Sequence, residues 1–416
     1  MDYFQYKQDA LYAEDVAIEK IASEVGTPFY CYSSATLKRH YAIFDDALKS
    51  LKHRIFFAAK ANSNPSVLKV LIDQGAGIDV VSAGEIRLAF MAGAKPSDIV
   101  FSGVGKTQEE MRFALERDIF QFNVESLPEL ELLNRVAESM GKIAPVAFRV
   151  NPDVDPKTHK KISTGKKESK FGIGLDEARA ILARIKDFPA VNARGVSVHI
   201  GSQLTSLDPF EQAFRAVRAF IEELRAAGHN IETIDLGGGL GVPYKQDASA
   251  PPLPSAYGAM VSEVMKGLEG TFLFEPGRLI AGNAGILVTK VIYVKKTPNR
   301  NFVIVDAAMN DLIRPTLYEA HHDIVTVRKT NAPVMMADIV GPVCETGDVF
   351  AFDRAVPLVK PDDLIVFRTA GAYGAVMSCT YNARPLVPEV LVDGKNYKVI
   401  RSRPPYADML AAYQMS

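Results

Sequence analysis

The 416-residue chain contains no tryptophan and only three cysteines, Cys31, Cys344 and Cys379, widely separated and without a C-x-x-C pair. That spacing supports neither a disulfide framework nor a cysteine zinc site, so no metal is expected and a reducing cytoplasm is the expected location. An excess of one charge is also missing: 48 Lys and Arg stand against 49 Asp and Glu, a formal net charge of −1. Binding to nucleic acid or an anionic membrane normally leaves a basic face, and neither partner is expected. No apolar run approaches membrane-spanning length, and the start Met1-Asp2-Tyr3-Phe4-Gln5-Tyr6 lacks the basic-then-apolar order of an export signal. Internal repeats and low-complexity tracts are absent too. What remains is a 48% hydrophobic, globular composition suited to small-molecule chemistry.

A chain of this length is expected to divide into two domains, each with its own core. From about residue 55 to 280, short β-branched or aromatic runs alternate with longer segments of helical period. Eight runs begin near Arg54, Gly77, Asp98, Ile119, Pro145, Gly195, Glu232 and Thr271. This α/β pattern predicts a (β/α)8 TIM-type barrel over residues 27–280. Later, strand-like alternation over 286–294 and 301–305, with turn signals at Thr297-Pro298-Asn299-Arg300 and Asp393-Gly394, predicts a C-terminal β domain over 281–416. Residues 1–26 precede the first barrel strand and fit either domain, the β domain being the expected one.

Barrel enzymes place their chemistry at the C-terminal ends of the strands, which gives the run ends meaning. Lys60 follows run one in Ile55-Phe56-Phe57-Ala58-Ala59-Lys60-Ala61-Asn62; Arg149 and Asn151 end run five, His199 and Ser202 run six, Gly237-Gly238-Gly239 run seven, and Glu275 run eight. A strand-end amine can form an imine with an aldehyde cofactor, and glycine turns leave backbone N–H groups for a phosphate. Barrel phosphate sites often lie beyond strands seven and eight, where Gly237 to Gly239 and Gly277 fall. Together these features predict pyridoxal 5'-phosphate. Singly each is weak: most lysines are solvated, a histidine on an apolar strand is more often core, and a free cysteine is usually a small buried hydrophobe.

The chain resembles the fold-type III pyridoxal-phosphate decarboxylases over nearly its whole length. Shared motifs include Phe57-Ala58-Ala59-Lys60-Ala61-Asn62, Asp79-Val80-Val81-Ser82-Ala83-Gly84-Glu85, Phe122-Asn123-Val124-Glu125-Ser126, His199-Ile200-Gly201-Ser202-Gln203 and Glu275-Pro276-Gly277-Arg278. Narrower motifs resemble the branch acting on meso-2,6-diaminopimelate: the stretch from Ser163 to Ile173, the stretch from Met309 to Tyr318, and Cys344-Glu345-Thr346-Gly347-Asp348, where Thr346 replaces the more usual serine.

The resemblance implies decarboxylation of that substrate to L-lysine and CO2. It makes Lys60 the lysine joined to the cofactor, Glu275 the partner of the pyridine nitrogen, and His199 a ring-stacking group. Ser202, Gly238, Gly239 and Tyr373 would hold the phosphate, with Gly277 and Arg278 also on the cofactor side. Cys344 would supply the proton that replaces the carboxylate, and Glu345 would hold the distal ammonium. Arg278, Arg314 and Tyr318 would grip the distal carboxylate, near Tyr373. The Ser163 to Ile173 stretch, from the lysine-rich segment 157–170, would help to close the pocket. A homodimer with shared active sites is implied, one subunit's β domain lending Cys344 and Glu345 to the other. Rival readings are a decarboxylase of arginine, ornithine or carboxynorspermidine, an amino-acid racemase, and a non-catalytic pyridoxal-phosphate-binding protein.

Overall fold

His53–Ala58, Gly77–Val80, Ile99–Phe101, Gln121–Val124, Ala144–Asn151, Val191–Val198, Thr233–Asp235 and Thr271–Phe274 are parallel strands, each hydrogen-bonded to the next. The eighth pairs with the first, Phe272 opposite His53, so the sheet closes into the expected eight-stranded barrel. All eight sequence runs fall on these strands. The computed structural model describes residues 2–155, 170–245 and 250–413, and the barrel belongs to a unit comprising Arg39–Val242 and Ser249–Leu279.

The crossover helices form for legible local reasons. Asn64, Ser82, Thr107 and Ser126 each cap the helix that follows strands one to four by accepting a backbone N–H, and Thr107 forms a full capping box with Glu110. The longest barrel helix, Asp208–Ala226, buries Phe210, Ala213, Phe214, Val217, Phe220, Ile221 and Leu224, the spacing of one helical face. Phe56, Val100 and Leu273 pack together with Phe120 as one apolar cluster of the barrel.

The second unit comprises Met1–Lys38, Pro243–Ala248 and Ile280–Ser416. Its hub is the 12-residue strand Gly285–Lys296, which pairs antiparallel with Phe29–Ser33, Leu364–Phe367 and Asn301–Val305 along its length. The expected hairpin at Asp393-Gly394 joins Glu389–Asp393 to Asn396–Arg401, with Gly394 at φ 61°. Phe29–Ser33 precedes the barrel in sequence, yet all five of its residues are buried in this β sheet, between Gly285–Lys296 and Glu389–Asp393. The β unit therefore takes in residues up to Lys38, beyond the 1–26 of the sequence reading. A strand hydrogen-bonded on both edges to residues some 250 to 360 positions away carries no local sign of that pairing. A core of Phe4, Leu11, Ile18, Phe29, Cys31, Ile286, Val366 and Val390 joins this sheet to the N-terminal strands and helix.

Candidate active site

The described residues that the sequence reading placed at run ends, from Lys60 to Glu275, lie at the C-terminal ends of the barrel strands. Lys60 sits in a short 3-10 turn, Ala59–Ala61, directly after the first strand. Its side chain is 35% exposed, and its Nζ donates to Asp79 Oδ2 at 2.8 Å, while Asp79 itself is fully buried on the second strand. The other oxygen, Asp79 Oδ1, has no hydrogen-bond partner among the described residues. An amine held in partial solvent by a buried carboxylate is well placed for an incoming aldehyde.

Glu275 is buried after strand eight, and Asp235 is buried at the end of strand seven. The two carboxyl groups share one donor, Asn123 Nδ2. Desolvation, followed by the neighbouring charges of Asp235 and Asp79, pushes Glu275 well above the usual carboxylate range. Burial raises Asp235 as well. Asn123 Nδ2 lies 2.9 Å from Asp235 Oδ2, 3.2 Å from Glu275 Oε1 and 3.1 Å from Ser102 Oγ.

His199 follows strand six, and its Nδ1 accepts the Gly238 N–H at 3.2 Å. Desolvation, then the charges of Arg149 and Lys60, hold the imidazole well below its ordinary pKa, so the ring is neutral. The glycine turn after strand seven is packed against its neighbours at backbone distance: a Cβ on Gly238 would lie 2.2 Å from the Glu275 carbonyl, and one on Gly239, at φ 121°, 2.4 Å from the Gly201 carbonyl. Any side chain there would pry apart the ends of strands six, seven and eight. Gly239 and Gly277 give their amides to no hydrogen bond among the described residues. Ser202 Oγ accepts two bonds from Arg278, from Nε at 3.3 Å and from Nη2 at 3.1 Å.

Arg149, at the end of strand five, pairs with buried Glu125 at 2.9 Å, and Glu125 also accepts the N–H groups of Gly103 and Gly172. Of the expected closing stretch, residues 163–169 lie outside the described residues.

Within the β unit, Arg314 is buried at the start of the short helix Arg314–Tyr318. Its Nη1 lies 2.8 Å from His322 Nε2, and His322 Nδ1 lies 2.8 Å from the Arg368 carbonyl. A carbonyl can only accept, so Nδ1 carries the proton and Nε2 accepts from the guanidinium. The Tyr244 ring lies 4.3 Å from the same guanidinium. Thr316 on this helix donates to the Gly347 carbonyl at 2.8 Å, tying it to the turn that carries Cys344 and Glu345. Asp348 shapes that turn by accepting the Val343 N–H at 2.7 Å and the Met309 N–H at 2.6 Å. Cys344 and Glu345 are exposed, whereas Cys31 is buried. Tyr373 is half-buried at φ 56°, in the Gly371 to Gly374 turn.

The fold and these motifs agree with known proteins. Residues 34–282 match the family model described as pyridoxal-dependent decarboxylase, pyridoxal binding domain. The diaminopimelate decarboxylase of Zymomonas mobilis is 50% identical over 410 residues, covering 98% of this chain and 97% of that protein. This chain belongs to the diaminopimelate decarboxylase family. The Pseudomonas aeruginosa member is 49% identical, with 99% of this chain and 98% of that protein covered. The crystal structure of the Helicobacter pylori member, complexed with L-lysine, superposes with a TM-score of 0.91 at 40% identity, covering 94% of this chain and 98% of that one.

The cofactor of the family, pyridoxal 5'-phosphate, fits this donor set. Asp79, Asp235 and Glu275 are buried carboxyl groups, and Asp79 retains an orphaned oxygen; a cationic ring nitrogen and a cationic lysine adduct would relieve them. The neutral His199 offers a flat ring face. The Gly239 and Gly277 amides, Ser202 and Arg278 could hold the phosphate, whereas the N–H of Gly238, expected there from sequence, is taken by His199 Nδ1. Sequence reading had not marked Asp79, Asn123 or Asp235 as site residues. Their signal was a polar side chain inside an otherwise apolar strand, with Gln121 and Asn123, and likewise Thr233 and Asp235, two residues apart and so on one face.

Proposed function

We infer that this chain removes one carboxyl group of meso-2,6-diaminopimelate, releasing L-lysine and CO2. When bound, pyridoxal phosphate supplies an aldehyde that captures the substrate amine and a ring that takes up the electron pair left by departing CO2. The chain's residues do the rest. Lys60 Nζ is the amine that holds the cofactor covalently between turnovers. Glu275, backed by Asp235, would keep the proton on the ring nitrogen, and the neutral His199 would offer its flat face to the ring. Ser202, Arg278 and the amides of Gly239 and Gly277 would bind the phosphate.

Arg314 and Tyr318, with Arg278, bind the distal carboxylate, and Glu345 binds the ammonium beside it. Arg314 is suited to that task because His322 and Tyr244 fix its guanidinium, so little freedom is lost on binding. Cys344 Sγ gives its proton to the carbon that lost the carboxylate, and solvent then reprotonates the thiolate. The exposure of Cys344 and Glu345 in the single chain supports a homodimer in which this turn completes the partner's site. No helix among the described residues is long and apolar enough to cross a membrane, and free cysteines support a cytoplasmic location.

The observation that carries the reading is Lys60 on buried Asp79, at the mouth of a barrel whose Glu275 and glycine turns suit a pyridine ring and a phosphate. The substrate assignment is tested by competition. Substrates without the distal carboxylate leave buried donors unpaired, at about 1–3 kcal/mol each, so ornithine and lysine should react at least about a hundredfold more slowly. Comparable rates on ornithine would transfer the chain to the rival decarboxylases.

A further inference from the structure

The barrel interior below the site carries a ladder of side-chain amides that the mechanism above does not use. Thr233 Oγ1 donates to Gln121 Oε1 at 2.7 Å, Gln121 Nε2 donates to Asn123 Oδ1 at 2.9 Å, and Asn123 Nδ2 faces Asp235 and Glu275. All five residues are buried. Room for the lowest rung comes from Gly195 on the adjacent strand, where a Cβ would lie 2.1 Å from Thr233 Oγ1.

The direction of the ladder is chemically fixed at its top. Asn123 Nδ2 faces both carboxyl groups as a donor, so its Oδ1 points down and accepts from Gln121. A reversed amide would set a carbonyl oxygen against two carboxyl groups. The charged groups facing the pair are Asp79, on the second strand, and Lys60, after the first; Arg149 acts on the neighbouring, neutral His199, and Tyr257 on its helix feels the charge of Asp235. Lys60 donates to Asp79, and Asn123 donates to both Asp235 and Glu275.

We propose that Asn123, oriented by Gln121 and Thr233, is a positioning residue that holds Asp235 and Glu275 together as one acceptor for the ring nitrogen of pyridoxal phosphate. The proposal rests on the assignment of Glu275 to that nitrogen. In it, with the cofactor bound, Glu275 would be the carboxylate that accepts the N–H of the ring nitrogen, with Asp235 beside it. Asn123 then stabilises two carboxylates at once, a role that hydrogen bonds to charged acceptors suit.

The test compares cofactor-free full-length protein titrated with pyridoxal phosphate and with its 1-deaza analogue, in which C–H replaces the ring nitrogen. Wild type, Asn123→Leu and Gln121→Met are measured, with circular dichroism to verify the fold. Wild type should prefer the natural cofactor by at least about tenfold, and each variant should lose about tenfold of that preference. Equal weakening of both compounds, or an unchanged preference, would overturn the proposal, because a merely structural role cannot sense the ring nitrogen. Absence of any preference in wild type would instead overturn the Glu275 assignment. Gln121→Met conserves volume and decides the matter by the same criterion if Asn123→Leu does not fold.

Discussion

Replacing Lys106 with methionine should destabilise the barrel far more than a typical lysine substitution. Lys106 follows the third strand, and its side chain is 1% exposed. Its ammonium donates to the Gly103 carbonyl at 2.7 Å, the Asn123 carbonyl at 2.7 Å and Glu129 Oε1 at 2.6 Å. The second oxygen of Glu129 accepts the Glu125 N–H at 2.9 Å, so the carboxylate stays buried when its cation is removed. An uncompensated buried charge of this kind costs about 3–5 kcal/mol. For a unit of this size that is a fall of about 6–20 °C in melting temperature. Helical circular dichroism is the appropriate probe, since the chain has no tryptophan. Combining Lys106→Met with Glu129→Gln removes both charges and should recover at least about 1 kcal/mol of the loss. A single variant melting within about 2 °C of wild type would refute the reasoning.

Burial pushes the Asp311 carboxyl up to about 6 from an ordinary 3.8. The folded chain thus binds that proton more tightly than the unfolded chain. The contribution to stability is full below about pH 4 and is lost as pH rises through about 6, so Asp311→Asn should gain on wild type over that interval; a melting difference independent of pH would contradict this. Cys344→Ala should bind cofactor and substrate yet release lysine slowly, or with altered stereochemistry at the protonated carbon, as read by chiral chromatography; unchanged rate and stereochemistry would remove the thiol from the mechanism. Mixing Lys60→Ala with Cys344→Ala under subunit exchange should restore about a quarter of wild-type activity, because half the dimers are mixed and each has one intact site. No recovery in dimers proven mixed by mass spectrometry would place both residues in one subunit's site.

The barrel was legible because its eight strands are short apolar runs, and the site because barrel chemistry sits where such runs stop, at Lys60, His199, Gly237 and Glu275. The buried polar interior was harder to read. Asp79, Gln121, Asn123, Thr233 and Asp235 interrupt apolar strands, and a polar residue in a strand usually signals a solvent-facing position. Only closure of the barrel turns those side chains toward one another, and closure joins strands from residue 53 to residue 274. Phe29–Ser33 was obscure for the same reason, since both its neighbours lie far along the chain. His322 and Tyr244, which fix Arg314, come from separate segments that no local motif connects.

The central claim is tested most directly by supplying purified protein with meso-2,6-diaminopimelate, with and without added pyridoxal phosphate, beside a Lys60→Ala control, and measuring CO2 and lysine together. The account predicts equimolar CO2 and L-lysine, dependent on the cofactor and nearly abolished in the variant, with borohydride trapping the cofactor on the Lys60 peptide of wild type alone. Cofactor-loaded wild type that yields no CO2 from this substrate, or a Lys60→Ala protein that decarboxylates it at the wild-type rate, would contradict it.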